Sequence, residues 1–264
     1  MKAIICAAGM GTRLGKYTEN LPKCMLEFNN KPLLEHQVDT LRSSGINDIS
    51  IVRGYMPDKI NITGTKYYEN PDFATTNMVA SLMTAEKEMS TDSEILICYA
   101  DILYEKRLID KIQKSKSPVS VLVDDDWAPY WMARLDDWRS DIESLTYDSE
   151  SKIIDIGNPH CKLEDAMSRY IGLIKFNNQG IQAFKEIFHE NKKKHWNSSE
   201  PWLRSKSFKQ AYMTCMLQEM VNKGIDVHAV HTKKGWLEFD TSEDIEKAIQ
   251  WNKTGEIKKY INLK

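Results

Sequence analysis

AIICAAGMGTRLGKYTENLPK, residues 3–23, decides how the rest of the chain reads. Its first six residues, Ala3 to Ala8, are an apolar run that predicts a short buried strand. The run then breaks into Gly9-Met10-Gly11-Thr12-Arg13-Leu14-Gly15, where glycines permit a tight turn and bring consecutive backbone N–H groups close to a ligand. Arg13, Lys16 and Lys23 place three cations in the same loop. Amides and cations together suit a polyanion.

Two common glycine motifs fail on this loop. A dinucleotide fingerprint, G-x-G-x-x-G, needs its third glycine where Leu14 stands, and Gly15 comes one residue late. A P-loop needs glycine at Met10 and Ser or Thr at Tyr17. An NAD-dependent oxidoreductase is disfavoured accordingly.

The 264 residues suffice for one large α/β domain, and neither a repeat nor a linker divides them. Lys and Arg number 36 against 38 Asp and Glu, so no global basic field calls for nucleic acid. No apolar run approaches the roughly 20 residues of a membrane helix, and the N-terminus lacks the charged start and cleavage site of a signal peptide. A soluble, cytoplasmic protein without a membrane partner is the expectation. Cys6, Cys24, Cys98, Cys161 and Cys215 are scattered and never spaced C-x-x-C, which predicts reduced thiols rather than zinc.

Beyond the loop, Leu33, Leu34, Val38 and Leu41 recur at helical spacing until Gly45, and Ile46 to Val52 reads as a strand. Strand, helix and strand in succession call for a parallel sheet with a right-handed crossover. Thr75-Thr76-Asn77 caps a following helix and could present donors to a base or phosphate. The apolar strand Glu94 to Ala100 ends on Asp101, placing a carboxylate at the edge where open α/β sheets bind ligands. Beside a phosphate loop, Asp101 is a candidate Mg²⁺ ligand, since a divalent ion at phosphate needs hard oxygen donors.

Three later stretches matter. Asp124 to Trp131 sets three acids beside three aromatic rings, either a solvated turn or a pocket in which Trp127, Tyr130 and Trp131 face a cationic acceptor. Ile142–Tyr147, Lys152–Ile156 and Tyr170–Phe176 read as added antiparallel strands, Ile181–Phe188 as a helix and His189–Lys206 as a surface loop. Near the C-terminus, Glu238 and Asp240 alternate on an extended segment and point the same way, before Thr241 or Ser242 caps a helix. Asp240 is the second candidate metal carboxylate. His228 and His231, three apart on a strand, face opposite sides and are not a shared metal site.

Three blocks in order, A-A-G-M-G-T-R-L with L-P-K, Ala100-Asp101, and Trp236 to Asp240, resemble the nucleotidyltransferases that couple NTPs to phosphorylated small molecules. The likeness spans almost the whole chain and is nearer the choline-phosphate cytidylyltransferase branch, with its aminoethylphosphonate and phosphoglutamine relatives. It implies an α/β, Rossmann-like, mainly parallel mixed sheet flanked by helices, with an acceptor-binding insertion at about residues 124–206 of one domain. It implies CTP as donor, Mg²⁺ on Asp101 and Asp240, and a small phosphorylated or phosphonate amine as acceptor. Ala7, Ala8, Gly9, Met10, Gly11, Thr12 and Arg13, with Asn77 and Ala100, would hold the nucleotide. Lys23, Arg13 and Asp101 would be catalytic, and Trp127, Tyr130, Trp131 and Glu238 would meet the acceptor. The branch's aromatic choline box has no counterpart besides the Trp127 to Trp131 cluster. A sugar-1-phosphate nucleotidyltransferase is the nearest rival, and a non-catalytic nucleotide sensor, which could dispense with one carboxylate, a more distant one. Trp251 and the Lys258-Lys259-Tyr260 tail are candidates for a homodimer contact.

Overall fold

Ala3, Ile5 and Ala7 belong to one buried cluster and Ile4, Cys6 and Ala8 to another, so the first strand is apolar on both faces. Such a strand needs cover above and below, which a sheet flanked by helices supplies. The computed structural model describes residues 1–263 and shows that arrangement. Seven strands lie in the order Val227–Thr232, Val119–Asp124, Arg169–Phe176, Ile95–Tyr99, Lys2–Ala7, Ile49–Arg53 and Lys66–Glu69. All run parallel except Arg169–Phe176, which is antiparallel to both neighbours.

Helices Leu33–Ser43, Lys106–Ile112 and Ser242–Thr254 bury apolar residues in one cluster. Met78–Leu82, Asn178–His195 and Met213–Asn222 close the other. Asn77 caps its helix as its spacing predicts, its side chain accepting from the Met78 amide.

The segment from His189, expected to leave the fold as a loop, continues its helix to His195. Ile181, Phe184, Ile187, Phe188 and Asn191 keep one buried stripe, while Lys192, Lys193 and Lys194 stay in water. Asn191 is held inside by accepting from the Trp202 indole at 3.0 Å. Arg169–Phe176 is likewise a central strand of the main sheet. A separate antiparallel ladder pairs Leu145–Tyr147 with Ile153–Ile156. A second short ladder pairs Trp236–Glu238 with Ile102–Tyr104, directly after the strand that leads to Asp101. No helix among the described residues is long and apolar enough to cross a membrane.

Candidate active site

The first loop leaves its strand at Ala7, and Gly11 adopts φ 64° and ψ 35°, a left-handed conformation that glycine reaches without strain. A Cβ there would lie 2.9 Å from the Cβ of Lys23, so the missing side chain also lets Lys23 approach. Thr18 donates its hydroxyl to the Gly11 carbonyl at 3.0 Å, and Leu14 is fully buried beneath. The loop is pinned at both ends.

Two further elements bring carboxylates to it. In the short ladder Glu238 lies opposite Ile102, and the Phe239 amide donates to the Asp101 carbonyl at 2.9 Å. This register sets the side chains of Asp101, Glu238 and Asp240 together, with one oxygen of each within 4.8 Å of the others. Thr241 caps the next helix, its hydroxyl accepting from the Asp244 amide, while Asp244 accepts from the amides of Asp240 and Thr241 at 2.8 Å. The C-terminal carboxylates are therefore held from both sides.

Lys23 enters this cluster as its counterion. Its ammonium is 2.7 Å from Asp101 and also donates to Asp240, and Arg13 lies 3.2 Å from Asp240. Burial works against the charge on Lys23, but the two aspartates outweigh it and raise its pKa. Burial would also raise Asp240, yet Lys23 and Arg13 hold its carboxyl down at about 2. Glu238 is pushed up to about 7 by burial, which the Arg134 guanidinium opposes.

Arg134 was not visible as a site residue in the sequence. It is 3% exposed, grips Asp244 with two nitrogens at 2.7 and 2.9 Å, and also donates to Glu238. It sits inside an ordinary-looking helix, Ala128–Arg134, so nothing local marks it.

The same helix corrects the expected aromatic pocket. Trp127, Tyr130 and Trp131 are 5%, 4% and 0% exposed, belong to the interior cluster and do not line the cavities at the carboxylates. An amphipathic turn of helix points all three inward, where the Tyr130 hydroxyl accepts from the Glu238 amide at 2.9 Å. Trp251 and Tyr260, proposed for a dimer contact, pack on Tyr130 in the chain's own core.

Two adjoining cavities meet at Arg13, Asn77, Met78, Asp101 and Asp240. The smaller, about 290 Å³, is lined also by Ala7, Gly9, Gly11, Thr12, Lys23 and Ala100. The larger, about 610 Å³, reaches past Glu238 under the Leu145–Tyr147 ladder. Ala8 lines a neighbouring recess with Gly9, Phe73, Thr76, Asn77 and Ser81, while Met10 is exposed at the loop tip.

The MobA-like NTP transferase domain matches residues 3–160. This chain belongs to that family. The transferase is 31% identical over 262 residues to the CTP:phosphoglutamine cytidylyltransferase of Campylobacter jejuni, covering 95% of this chain and 100% of that one. It is 43% identical over 94 residues to the choline-phosphate cytidylyltransferase of Streptococcus pneumoniae, covering 34% of this chain and 41% of that one. In three dimensions it matches the CTP:phosphocholine cytidylyltransferase structure from S. pneumoniae with TM-score 0.69 at 23% identity, over 94% of this chain and 97% of that one. At that identity the likeness speaks for the fold, as expected for a nucleotidyltransferase with a mixed, mainly parallel sheet.

Proposed function

We propose that this transferase moves CMP from CTP to a small phosphorylated or phosphonate acceptor of the phosphocholine, aminoethylphosphonate or phosphoglutamine type, releasing pyrophosphate. The observation that carries this reading is the convergence of Arg13, Lys23, Asp101 and Asp240 on a cavity floored by the glycine loop. The full-length likeness to a phosphoglutamine cytidylyltransferase supports cytosine and the acceptor class.

The reaction joins an acceptor oxygen to the α-phosphorus and breaks the bond from that phosphorus to the bridging oxygen. The electron pair leaves on pyrophosphate. The acceptor oxygen is already anionic at neutral pH, so no protein nucleophile is required. What the chain must do is hold two anions together and oppose the charge growing on the leaving group. Arg13 and Lys23 bring fixed positive charge to the cavity, and the loop from Gly9 to Thr12 lines the place for the phosphates. Ala8, Asn77 and Ser81 border a recess of about 90 Å³ beside the loop, which this reading gives to the base.

The carboxylates fit Mg²⁺. They offer hard oxygens only, and Asp101 Oδ1 is buried with no hydrogen-bond partner, an acceptor left open. Asp101 and Asp240 would hold the ion with Glu238 beside them, and when bound it supplies further positive charge to the phosphates. Lys23, paired with both aspartates, lines the same cavity as the glycine loop and would face the phosphates from there.

The test is pyrophosphate release with CTP, UTP, dTTP and ATP against phosphorylated amines and sugar 1-phosphates. CTP with an amine-bearing phosphate is the expected pair. Faster release with a sugar 1-phosphate would favour the rival NDP-sugar synthesis, and NTP binding without any release would favour a sensor.

A further inference from the structure

Besides Arg13, Asp101, Glu238 and Asp240, the charged residues lining the larger cavity are Asp141, Glu143 and Arg169. The transfer chemistry leaves these three unused. Arg169 is fixed like a fixture of the wall. It donates to the Asp141 carbonyl at 2.7 Å, lies 3.4 Å from the Asp141 carboxylate, and stacks 4.0 Å over the ring of Trp131. Those contacts use part of its fork and leave other N–H groups for a planar anion.

Glu143 is in the opposite condition. The nearby guanidiniums of Arg169 and Arg204 are paired with Asp141 and Asp155 instead. Burial pushes the Glu143 carboxyl up, and the two guanidiniums, already paired elsewhere, only partly oppose it. A half-buried carboxylate without a counterion is costly, and an incoming ammonium removes that cost. A neutral sugar hydroxyl would desolvate Glu143 without neutralising it.

We propose that the acceptor carries, beyond its reacting phosphate, an ammonium that pairs with Glu143 and a carboxylate that Arg169 receives, making it a phosphorylated amino acid. Glu143 and Arg169 are then the residues that set acceptor specificity. The assignment rests on the cytidylyl-transfer reading for the place of the phosphate.

Calorimetric titration in the presence of Mg²⁺ and a CTP analogue with a methylene bridge between its α and β phosphorus atoms tests it. One matched series is O-phosphoserine, phosphoethanolamine, 3-phosphoglycerate and glycerol 3-phosphate, which hold both groups, the ammonium alone, the carboxylate alone, and neither. Phosphoglutamine and its analogues lacking the amino or carboxyl group form a second, longer series. In at least one series the compound with both groups should bind about tenfold or more tighter than either single-group compound, the scale of a lost polar partner. Glu143→Gln should erase the advantage of the amino group and Arg169→Gln that of the carboxylate, with affinity for the CTP analogue unchanged. Equal affinities within both series, no binding in either, or variant losses uniform across all compounds would overturn the proposal. Selective binding without pyrophosphate release from CTP would instead sink cytidylyl transfer, and release with unselective acceptor binding would sink only the specificity assignment.

Discussion

Lys23 stands between the two aspartates to which the proposed function gives the metal ion. Its ammonium pairs with both Asp101 and Asp240. Replacing Lys23 with Ala should lower turnover by about 10² or more, the usual cost of removing a preorganised charge at a developing anion. The same variant should gain more thermal stability from added Mg²⁺ than the parent does, because its carboxylates lack their resident ammonium; an equal gain in melting temperature would contradict this. Arg134 acts by a different route. Arg134→Met leaves Asp244 and part of Glu238 buried without their partner and should cost about 3–5 kcal/mol in denaturant unfolding. A loss under about 1 kcal/mol, the worth of an exposed pair, would place Arg134 outside the framework of the site.

At the scale of elements, the ladder of Trp236–Glu238 on Ile102–Tyr104 makes the site by joining segments far apart in the chain. Its continuation depends on the cap at Thr241. Thr241→Ala should cost about 1 kcal/mol of stability, the typical worth of such a cap, and should depress turnover through Asp240, which shares Asp244 with it. Unchanged stability and turnover together would show that the cap does not set the carboxylate. The loop from Gly9 to Lys23 and the strand-end position of Asp101 were legible because motif and strand pattern are local. The capping position of Asn77 was legible for the same reason. Glu238 as a member of the carboxylate cluster was not, because that follows from cross-strand register with a partner no local pattern names. Trp127, Tyr130 and Trp131 misled for a related reason: rings clustered in sequence signal a surface box or a helix's inner face equally well, and only packing decides. His189 to His195 looked like a loop because its lysines hide the stripe through Asn191.

Across the whole molecule, the helical turn Met83–Glu88 is tied to two strands of the sheet by Glu88. It accepts from the hydroxyl of Tyr68 and the ammoniums of Lys2 and Lys66, which belong to two strands. Burial would raise its carboxyl, but these donors overcome it and hold it at about 2, below its ordinary 4.5. The folded state therefore binds fewer protons there than the unfolded chain. The resulting stability is fully present above about pH 4.5 and fades as the pH falls toward 2. Glu88→Gln should be about 2 kcal/mol less stable than the parent near pH 6, with the gap narrowing in acid. A gap that stays constant with pH would assign the loss to packing alone.

The most direct test of the central claim, that the glycine loop and the carboxylates form one nucleotidyl-transfer site, is pyrophosphate release from CTP by the parent and by Asp101→Asn. Measured with Mg²⁺ and saturating amine-bearing phosphate acceptor, the parent should turn over and the variant should fall by about 10² or more while keeping its fold. Equal rates in the two proteins would contradict it.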